Sequence, residues 1–83
     1  MTNDVEIDAR GLICPLPVLR LRKALLQLAP GQTVCLLAND PVAVIDVPHF
    51  CAEAGHDLIS STAVEGATAY LVRRGPDAAI TAA

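Results

Sequence analysis

The residues of this sequence best suited to chemistry are Cys14 and the two prolines that follow it, in the segment Cys14-Pro15-Leu16-Pro17. Proline is favoured at the first position of a helix, because the N–H that it lacks would have no partner there. Pro15 also favours an extended backbone for the preceding residue, which is the conformation of an N-cap residue. We therefore expect Pro15 to open a helix with Cys14 as its N-cap.

This placement predicts an activated thiol. The positive end of the helix macrodipole stabilises a nearby anion, and the free amide of Leu16 is expected to add a hydrogen bond. We therefore expect the pKa of Cys14 to lie below its ordinary value, so that the nucleophilic thiolate forms readily. Pro17 lacks a further N–H group but stiffens the turn that carries the sulfur. The alternative is that Cys14 is only a small apolar residue in a loop, although two nearby prolines are an unusual way to build simple packing.

The other candidate sites are weaker. Position 17 is proline, so the segment is not a Cys-x-x-Cys redox motif. Cys35 lies within an apolar run and Cys51 on a predicted helix, and we expect both to be core residues. His49, Cys51 and His56 are candidate metal ligands, but their spacing matches none of the usual zinc patterns. We therefore expect neither a metal nor a cofactor.

Length and composition limit the class of protein. The 83 residues are 53% hydrophobic but include one Phe, one Tyr and no Trp, which predicts a single small domain with an aliphatic core. A net charge of −3 argues against nucleic acid as the main partner. No run approaches the roughly 18 apolar residues that span a bilayer. The polar, acidic N-terminus is unlike a signal peptide, and an odd number of cysteines favours reduced thiols in the cytoplasm.

Strand and helix patterns alternate along the chain. Alternating or continuous apolar runs predict strands, and apolar residues three and four apart predict helices. The predicted elements are a strand at Val5–Asp8, a helix from Pro15 to Leu28, a strand at Thr33–Ala38, a helix from Pro41 to Ala54, and strands at Asp57–Val64 and Thr68–Arg74.

The second helix and the last turn carry further signals. Asp40 is the expected N-cap and Pro41 the first residue of the second helix, while Asp46 is interpreted as another capping residue. Pro48 predicts a kink or break near Asp46-Val47. Glu65-Gly66 predicts a short hairpin turn.

The order βαβαββ predicts an α/β (α+β) fold, a two-layer α/β sandwich with two helices on one face of a four-stranded mixed sheet. We expect residues 1–75 to form this single domain. The breaker pair Gly75-Pro76 and the Ala-rich residues after it predict a flexible tail over 76–83.

Basic residues lie before and along the predicted first helix. Arg10 precedes the cysteine loop, and Arg20, Arg22 and Lys23 lie on the helix. An ordinary solvated helix face accounts for them, and the functional alternative is a docking surface for an acidic partner. For that alternative, Arg10, Arg20 and Lys23 are the candidate contacts.

Taken together, these motifs resemble the TusA/SirA family of small sulfur carrier proteins over about Asp8 to Arg74. The resemblance rests on the box around Cys14 and on matching motifs downstream. The segments that carry it are Asp8-Ala9-Arg10-Gly11-Leu12-Ile13-Cys14-Pro15-Leu16-Pro17, Arg22-Lys23, Asp40-Pro41, Asp46-Val47-Pro48-His49-Phe50-Cys51 and Gly55-His56.

The resemblance implies a function for the thiol. Cys14 would accept sulfane sulfur as a persulfide, supported by Pro15 and Pro17. Typical donors are a cysteine desulfurase or a rhodanese, and an acceptor protein would take the sulfur to tRNA thiolation, molybdenum-cofactor metabolism or sulfur oxidation. The protein would then be a relay rather than a free-standing catalyst, without direct contact to nucleic acid or membrane. Some members carry an acidic residue between the prolines, where this chain has Leu16.

Two further functions fit a single exposed cysteine. In a thiol redox sensor, Cys14 would form a sulfenic acid or a mixed disulfide. In a non-enzymatic docking module, the exposed sheet face or the basic face of the first helix would be the contact surface.

Overall fold

The computed structural model describes residues 3–76 and has the predicted order of two helices and four strands. The strands and helices are, in chain order, β1 (Val5–Asp8), α1 (Leu16–Leu26), β2 (Thr33–Ala38), α2 (Ala43–Ala54), β3 (Asp57–Val64) and β4 (Ala67–Arg73). The bounds of β1, β2 and β3 match the sequence prediction, and those of the other three elements differ from it by at most two residues.

The strands form one mixed sheet in the order β1-β2-β4-β3. Strand β1 pairs with β2 in parallel, with Val5 opposite Val34. Strand β4 lies antiparallel to both β2 and β3. Strand β3, which follows α2 in the chain, is therefore not adjacent to β2, and β4 lies between these two strands. This topology confirms the predicted α+β class, and it places the carboxyl ends of β1 and β2 at the same edge of the sheet.

The core lies between the sheet and the two helices. Alternate residues of β2 point into it, since Val34 and Leu36 are fully buried and Ala38 nearly so. Cys35 is only half-buried and does not belong to the core cluster. The prediction of a core role for Cys35 is therefore wrong. A sheet covered on one face buries every second residue, although the apolar run suggested burial on both faces.

Helix α1 packs through the apolar face that its sequence predicts. Leu21 and Leu25 are 0% and 1% exposed. The helix ends at Leu26, two residues before the predicted end, and the backbone N–H of Gln27 bonds back to Ala24. Nε of the buried Arg74 donates to the carbonyl of Leu25 at 2.9 Å. This bond satisfies a carbonyl in the last turn of α1 and ties the helix to the end of β4.

Helix α2 departs from the prediction at its start and at its proline. It begins at Ala43 rather than Pro41, because Pro41 and Val42 form a turn. The predicted break near Asp46-Val47 is absent, and the helix continues through Pro48 to Ala54. Pro48 lacks the N–H that would bond to the carbonyl of Val44. Both residues are exposed, so water can reach this carbonyl and the helix tolerates the proline.

The hairpin between β3 and β4 has the predicted two-residue turn. Glu65 and Gly66 both have positive φ, 31° and 79°, as a tight hairpin turn of this length requires. After β4, the backbone of Gly75 is buried against Gly55, where a Cβ would overlap the Gly55 carbonyl oxygen. Nearly all of the predicted tail lies outside the described residues. Within residues 3–76, neither helix is long and apolar enough to cross a membrane.

Candidate functional site

The loop that carries Cys14 leaves the end of β1 and is fixed by the loop that leaves the end of β2. The backbone N–H of Gly11 donates to Oδ1 of Asn39 at 2.9 Å. The backbone N–H of Cys14 donates to Oδ2 of Asp40 at 2.7 Å. Asn39 and Asp40 follow β2 directly, so the parallel pairing of β1 and β2 brings the two loops together. Two side chains from one loop therefore set the position of the cysteine.

The thiol of Cys14 contacts a carboxylate on α2. Cys14 is exposed, and its Sγ donates to Oδ2 of Asp46 at 2.9 Å. Asp46 lies on the first turn of α2 and is 32 residues distant in sequence. The geometry therefore connects the start of α2 directly to the sulfur.

This contact reverses the predicted direction of the Cys14 pKa. The hydrogen bond to Asp46 is the largest cause of a raised pKa, followed by partial desolvation and by the negative charges of Asp46 and Asp40. The hydrogen bond needs the proton on sulfur, and a thiolate would face two like charges. The expected lowering by the macrodipole of α1 is therefore wrong, and Cys14 is a protonated thiol near neutral pH.

The start of α1 also differs from the prediction. Pro15, rather than Cys14, occupies the N-cap position, and Leu16 is the first helical residue. The N–H of Leu16 donates to the carbonyl of Ile13 at 2.9 Å, so it is not free to stabilise a thiolate. Pro17 is buried beneath the turn, which agrees with a supporting role for this residue.

The capping roles predicted for the two aspartates are only partly correct. Oδ1 of Asp40 accepts from the N–H of Val42 at 3.4 Å and stabilises the turn before α2. Its other oxygen holds Cys14, and the side chain of Val42, the N-cap residue of α2, makes no capping hydrogen bond. Asp46 lies inside the helix and bonds to the thiol. The D-P and D-V-P segments were visible in the sequence, but their convergence on Cys14 depends on the tertiary fold.

A narrow cleft between the first turns of α1 and α2 contains the sulfur. Its lining includes Cys14, Pro15, Pro17, Val18, Asp40, Ala43 and Asp46. Exposed apolar side chains flank these residues in the chain, since Ile13 and Ile45 are 69% and 71% exposed and Leu16 is 44% exposed. The thiol therefore lies at an accessible surface with apolar neighbours, and a partner protein can cover it.

The three basic residues predicted to contact a partner differ in whether their charge is already paired. Arg10 makes a two-pronged ion pair with Asp8, in which its Nη2 lies 2.8 Å from Oδ2. This pair lowers the pKa of Asp8 to about 2. Arg20 and Lys23 are exposed on α1 and form no ion pair with any other residue of the described range. They remain available to a partner, whereas the charge of Arg10 is partly neutralised.

The remaining cysteine and the two histidines have structural partners. Cys51 is buried, and burial raises its pKa to about 11. Nε2 of His49 lies 3.5 Å from Oε1 of Glu53, and Nδ1 of His56 accepts from the N–H of Gly75. Within residues 3–76, no three side chains of His, Cys, Asp or Glu lie close enough together to hold a metal ion.

Comparison with known proteins identifies the family. The family model described as sulfurtransferase TusA matches residues 5–74, which is most of the chain and includes the whole site. The chain belongs to this family. Membership of the TusA family implies a sulfur carrier role, and the resemblance found in the sequence is confirmed.

A solved structure supports the same assignment. The TusA-family chain described here is similar to a SirA-like protein from Desulfitobacterium hafniense, with 26% sequence identity and a TM-score of 0.77. The similarity covers 86% of this chain and 97% of that protein. The predicted two-layer fold is therefore shared with a SirA-like protein over nearly its full length.

Proposed function

We propose that this protein carries sulfane sulfur as a persulfide on Cys14. It accepts the sulfur from a cysteine desulfurase or a rhodanese and passes it to an acceptor protein in the cytoplasm. The acceptor delivers the sulfur to tRNA thiolation, molybdenum-cofactor metabolism or sulfur oxidation. TusA-family membership supports the carrier role, and the position of Cys14 supports this residue as the carrier.

The observation that carries this proposal is an exposed thiol on a fixed loop. Cys14 is exposed, while its backbone N–H is held by Asp40 at 2.7 Å. Cys35 is half-buried and Cys51 is buried. A carrier needs one sulfur that two partners can reach in turn, and Cys14 meets this requirement best among the three cysteines.

Loading transfers a sulfur atom without net oxidation. The Cys14 thiol loses its proton, and its sulfur attacks the outer sulfur of the donor persulfide. The S–S bond of the donor breaks as a new S–S bond forms on Cys14, and the donor cysteine leaves as a thiolate that takes up a proton. Delivery repeats the exchange with a cysteine of the acceptor. The protein therefore acts as a relay between two other proteins.

The surface around Cys14 is suited to protein partners. The apolar side chains Ile13, Leu16 and Ile45 contribute an exposed apolar rim, and the cations Arg20 and Lys23 lie farther along α1. We assign Arg20 and Lys23 to contacts with acidic residues of a partner, and Arg10 to a lesser contact because Asp8 already binds it. Leu16 favours an apolar contact beside the thiol.

Sulfur loading can be tested by intact-protein mass spectrometry. We expect the reduced protein, mixed with a cysteine desulfurase and cysteine, to gain one sulfur atom that maps to Cys14 and is removed by a reductant. Cys14→Ser is expected to abolish the gain, since the hydroxyl cannot form a persulfide. Cys35→Ser serves as a matched control, because this half-buried cysteine lies on the other face of the sheet.

The donor class is tested in the same way with a rhodanese and thiosulfate. Loading of Cys14→Ser to the level of the wild-type protein, or failure of the wild-type protein with both donors, would contradict the carrier proposal.

The redox-sensor alternative requires fast reaction of Cys14 with peroxide and no sulfur transfer from a desulfurase. A sensor cysteine reacts with peroxide as a thiolate, and such cysteines have a low pKa. The carboxylates of Asp46 and Asp40 instead raise the pKa of Cys14. A docking role without sulfur chemistry would leave partner binding unchanged in Cys14→Ala and would show no sulfur gain.

A further inference from the structure

A carboxylate on α2 contacts the sulfur atom that the proposed reaction uses. We propose that Asp46 is a positioning residue that anchors the empty Cys14 side chain as a thiol and loses its hold when Cys14 carries sulfur. The statement about the sulfur-loaded form rests on the proposed carrier function. The anchoring of the empty thiol follows from the geometry of the site.

Both partners of this hydrogen bond are held by the fold. Asp46 lies on α2 between the fully buried Val47 and the nearly buried Ala43, and its N–H bonds to the carbonyl of Val42 at 2.9 Å. The loop of Cys14 is held by Asp40 from the same connection. The β2–α2 connection and the start of α2 therefore hold both the backbone of Cys14 and the carboxylate of Asp46. This shared support sets the 2.9 Å distance between Sγ of Cys14 and Oδ2 of Asp46.

The charges that face Cys14 are negative. Asp46 approaches from the first turn of α2 and Asp40 from the β2–α2 connection, and both raise the pKa of Cys14. The first turn of α1 has no acidic residue, and its side chains from Leu16 to Leu19 carry no charge. The cation of the preceding loop, Arg10, is paired with Asp8. Within the described residues, the charges among the causes of the raised pKa of Cys14 are therefore those of the two carboxylates.

Sulfur loading removes this anchor. In the persulfide, Sγ is bonded to the outer sulfur, about 2.05 Å away, and has no proton to donate. The negative charge of the persulfide lies mainly on the outer sulfur, and the carboxylates of Asp46 and Asp40 repel it. The outer sulfur is thereby directed away from α2 and toward an approaching acceptor. Asp46 thus retains the empty thiol and disfavours retention of the loaded form.

The test is the pH profile of Cys14 alkylation by iodoacetamide, followed by peptide mass spectrometry. Asp46→Asn keeps the size of the side chain and removes its charge, so we expect the midpoint pH of alkylation to fall. The rate at pH 7 is expected to rise by roughly three- to tenfold, because more thiolate is present. Glu53→Gln is the matched control, since it removes an exposed carboxylate from the same helix and should leave the profile unchanged.

An unchanged or higher midpoint in Asp46→Asn would overturn the proposal. If circular dichroism shows that this variant does not fold, Asp46→Ser provides the same removal of charge, with the same expected fall. The measurement needs no sulfur donor. A lower midpoint together with a wild-type protein that gains no sulfur would therefore contradict the carrier function alone. Normal sulfur loading together with an unchanged midpoint would contradict the role of Asp46 alone.

Discussion

At the scale of single residues, the three cysteines differ in what their surroundings allow. Cys14 is exposed and hydrogen-bonded to a carboxylate, Cys35 is half-buried on the sheet, and Cys51 lies on the buried face of α2. Exposure gives partners access to Cys14, while Asp46 keeps its sulfur protonated. Access and reactivity are therefore controlled separately, and the thiol is protected from oxidants that attack thiolates.

The buried Cys51 makes the stability of the protein depend on alkaline pH. Its pKa is about 11 in the folded protein against 9.0 in the unfolded chain, because burial disfavours the thiolate. Between these values the unfolded chain binds fewer protons than the folded protein, so stability falls as pH rises. We expect the urea midpoint to be lower at about pH 10.5 than at about pH 8, since these two pH values lie on either side of the pKa of cysteine in the unfolded chain.

Cys51→Ala separates this effect from other alkaline titrations. The variant is expected to be less stable at pH 8, since it loses buried volume, but to lose less further stability at pH 10.5 than the wild-type protein. An equal fall of the two urea midpoints would show that Cys51 does not contribute to the alkaline dependence.

The sequence singles out Cys14 as the candidate reactive residue, which stays a prediction, but the charge state predicted for its thiol is wrong. Cys14-Pro15-Leu16-Pro17 is a local pattern, and the structure places its cysteine at the surface as expected for a reactive thiol. The predicted low pKa depended on a helix end and on the amide of Leu16, which bonds to Ile13 instead. Asp46 decides the outcome, and only the packing of α2 beside the cysteine loop brings it there.

At the scale of elements, α1 is both the support of the site and a main part of the core. Leu21 and Leu25 are buried one turn apart, and we expect Leu21→Ala or Leu25→Ala to destabilise the protein by about 2–5 kcal/mol. A loss of this size is a large fraction of the stability of a small domain. Urea or thermal unfolding followed by circular dichroism measures it.

Leu26→Ala is the matched control on the same helix. Leu26 is 48% exposed, and alanine has a high helix propensity, so we expect a change well below that of the core variants. Core variants that unfold at the same urea concentration as Leu26→Ala would contradict the assignment of the buried face.

Element order was predictable because each strand and helix has its own local pattern. The apolar run of β2, the hairpin at Glu65-Gly66 and the buried face of α1 were all recognised. The start of α2 was not, because Asp40-Pro41 resembles a helix start while Asp40 in the fold also binds the backbone of Cys14. The orientation of Cys35 depends on which face of the sheet the helices cover, and a continuous apolar run does not specify this face.

At the scale of the whole molecule, positive charge is distributed unevenly on an acidic protein. The net charge is −3, yet α1 contains Arg20, Arg22 and Lys23 and no acidic residue. The helix begins beside Cys14, and Arg20 and Lys23 are exposed farther along it. This arrangement can orient an acidic partner surface so that the partner's cysteine reaches the thiol.

Charge reversal on α1 tests this orientation. We expect Arg20→Glu and Lys23→Glu to slow sulfur loading from a cysteine desulfurase by roughly three- to tenfold at low salt, because the attraction becomes repulsion. Arg73→Glu changes the net charge equally on the sheet, where Arg73 pairs with the exposed Asp57, and it should load at nearly the wild-type rate. Added salt should reduce the difference between the α1 variants and the wild-type protein, since it screens exposed charges. If all three variants slow loading equally, overall charge rather than the α1 surface controls the encounter.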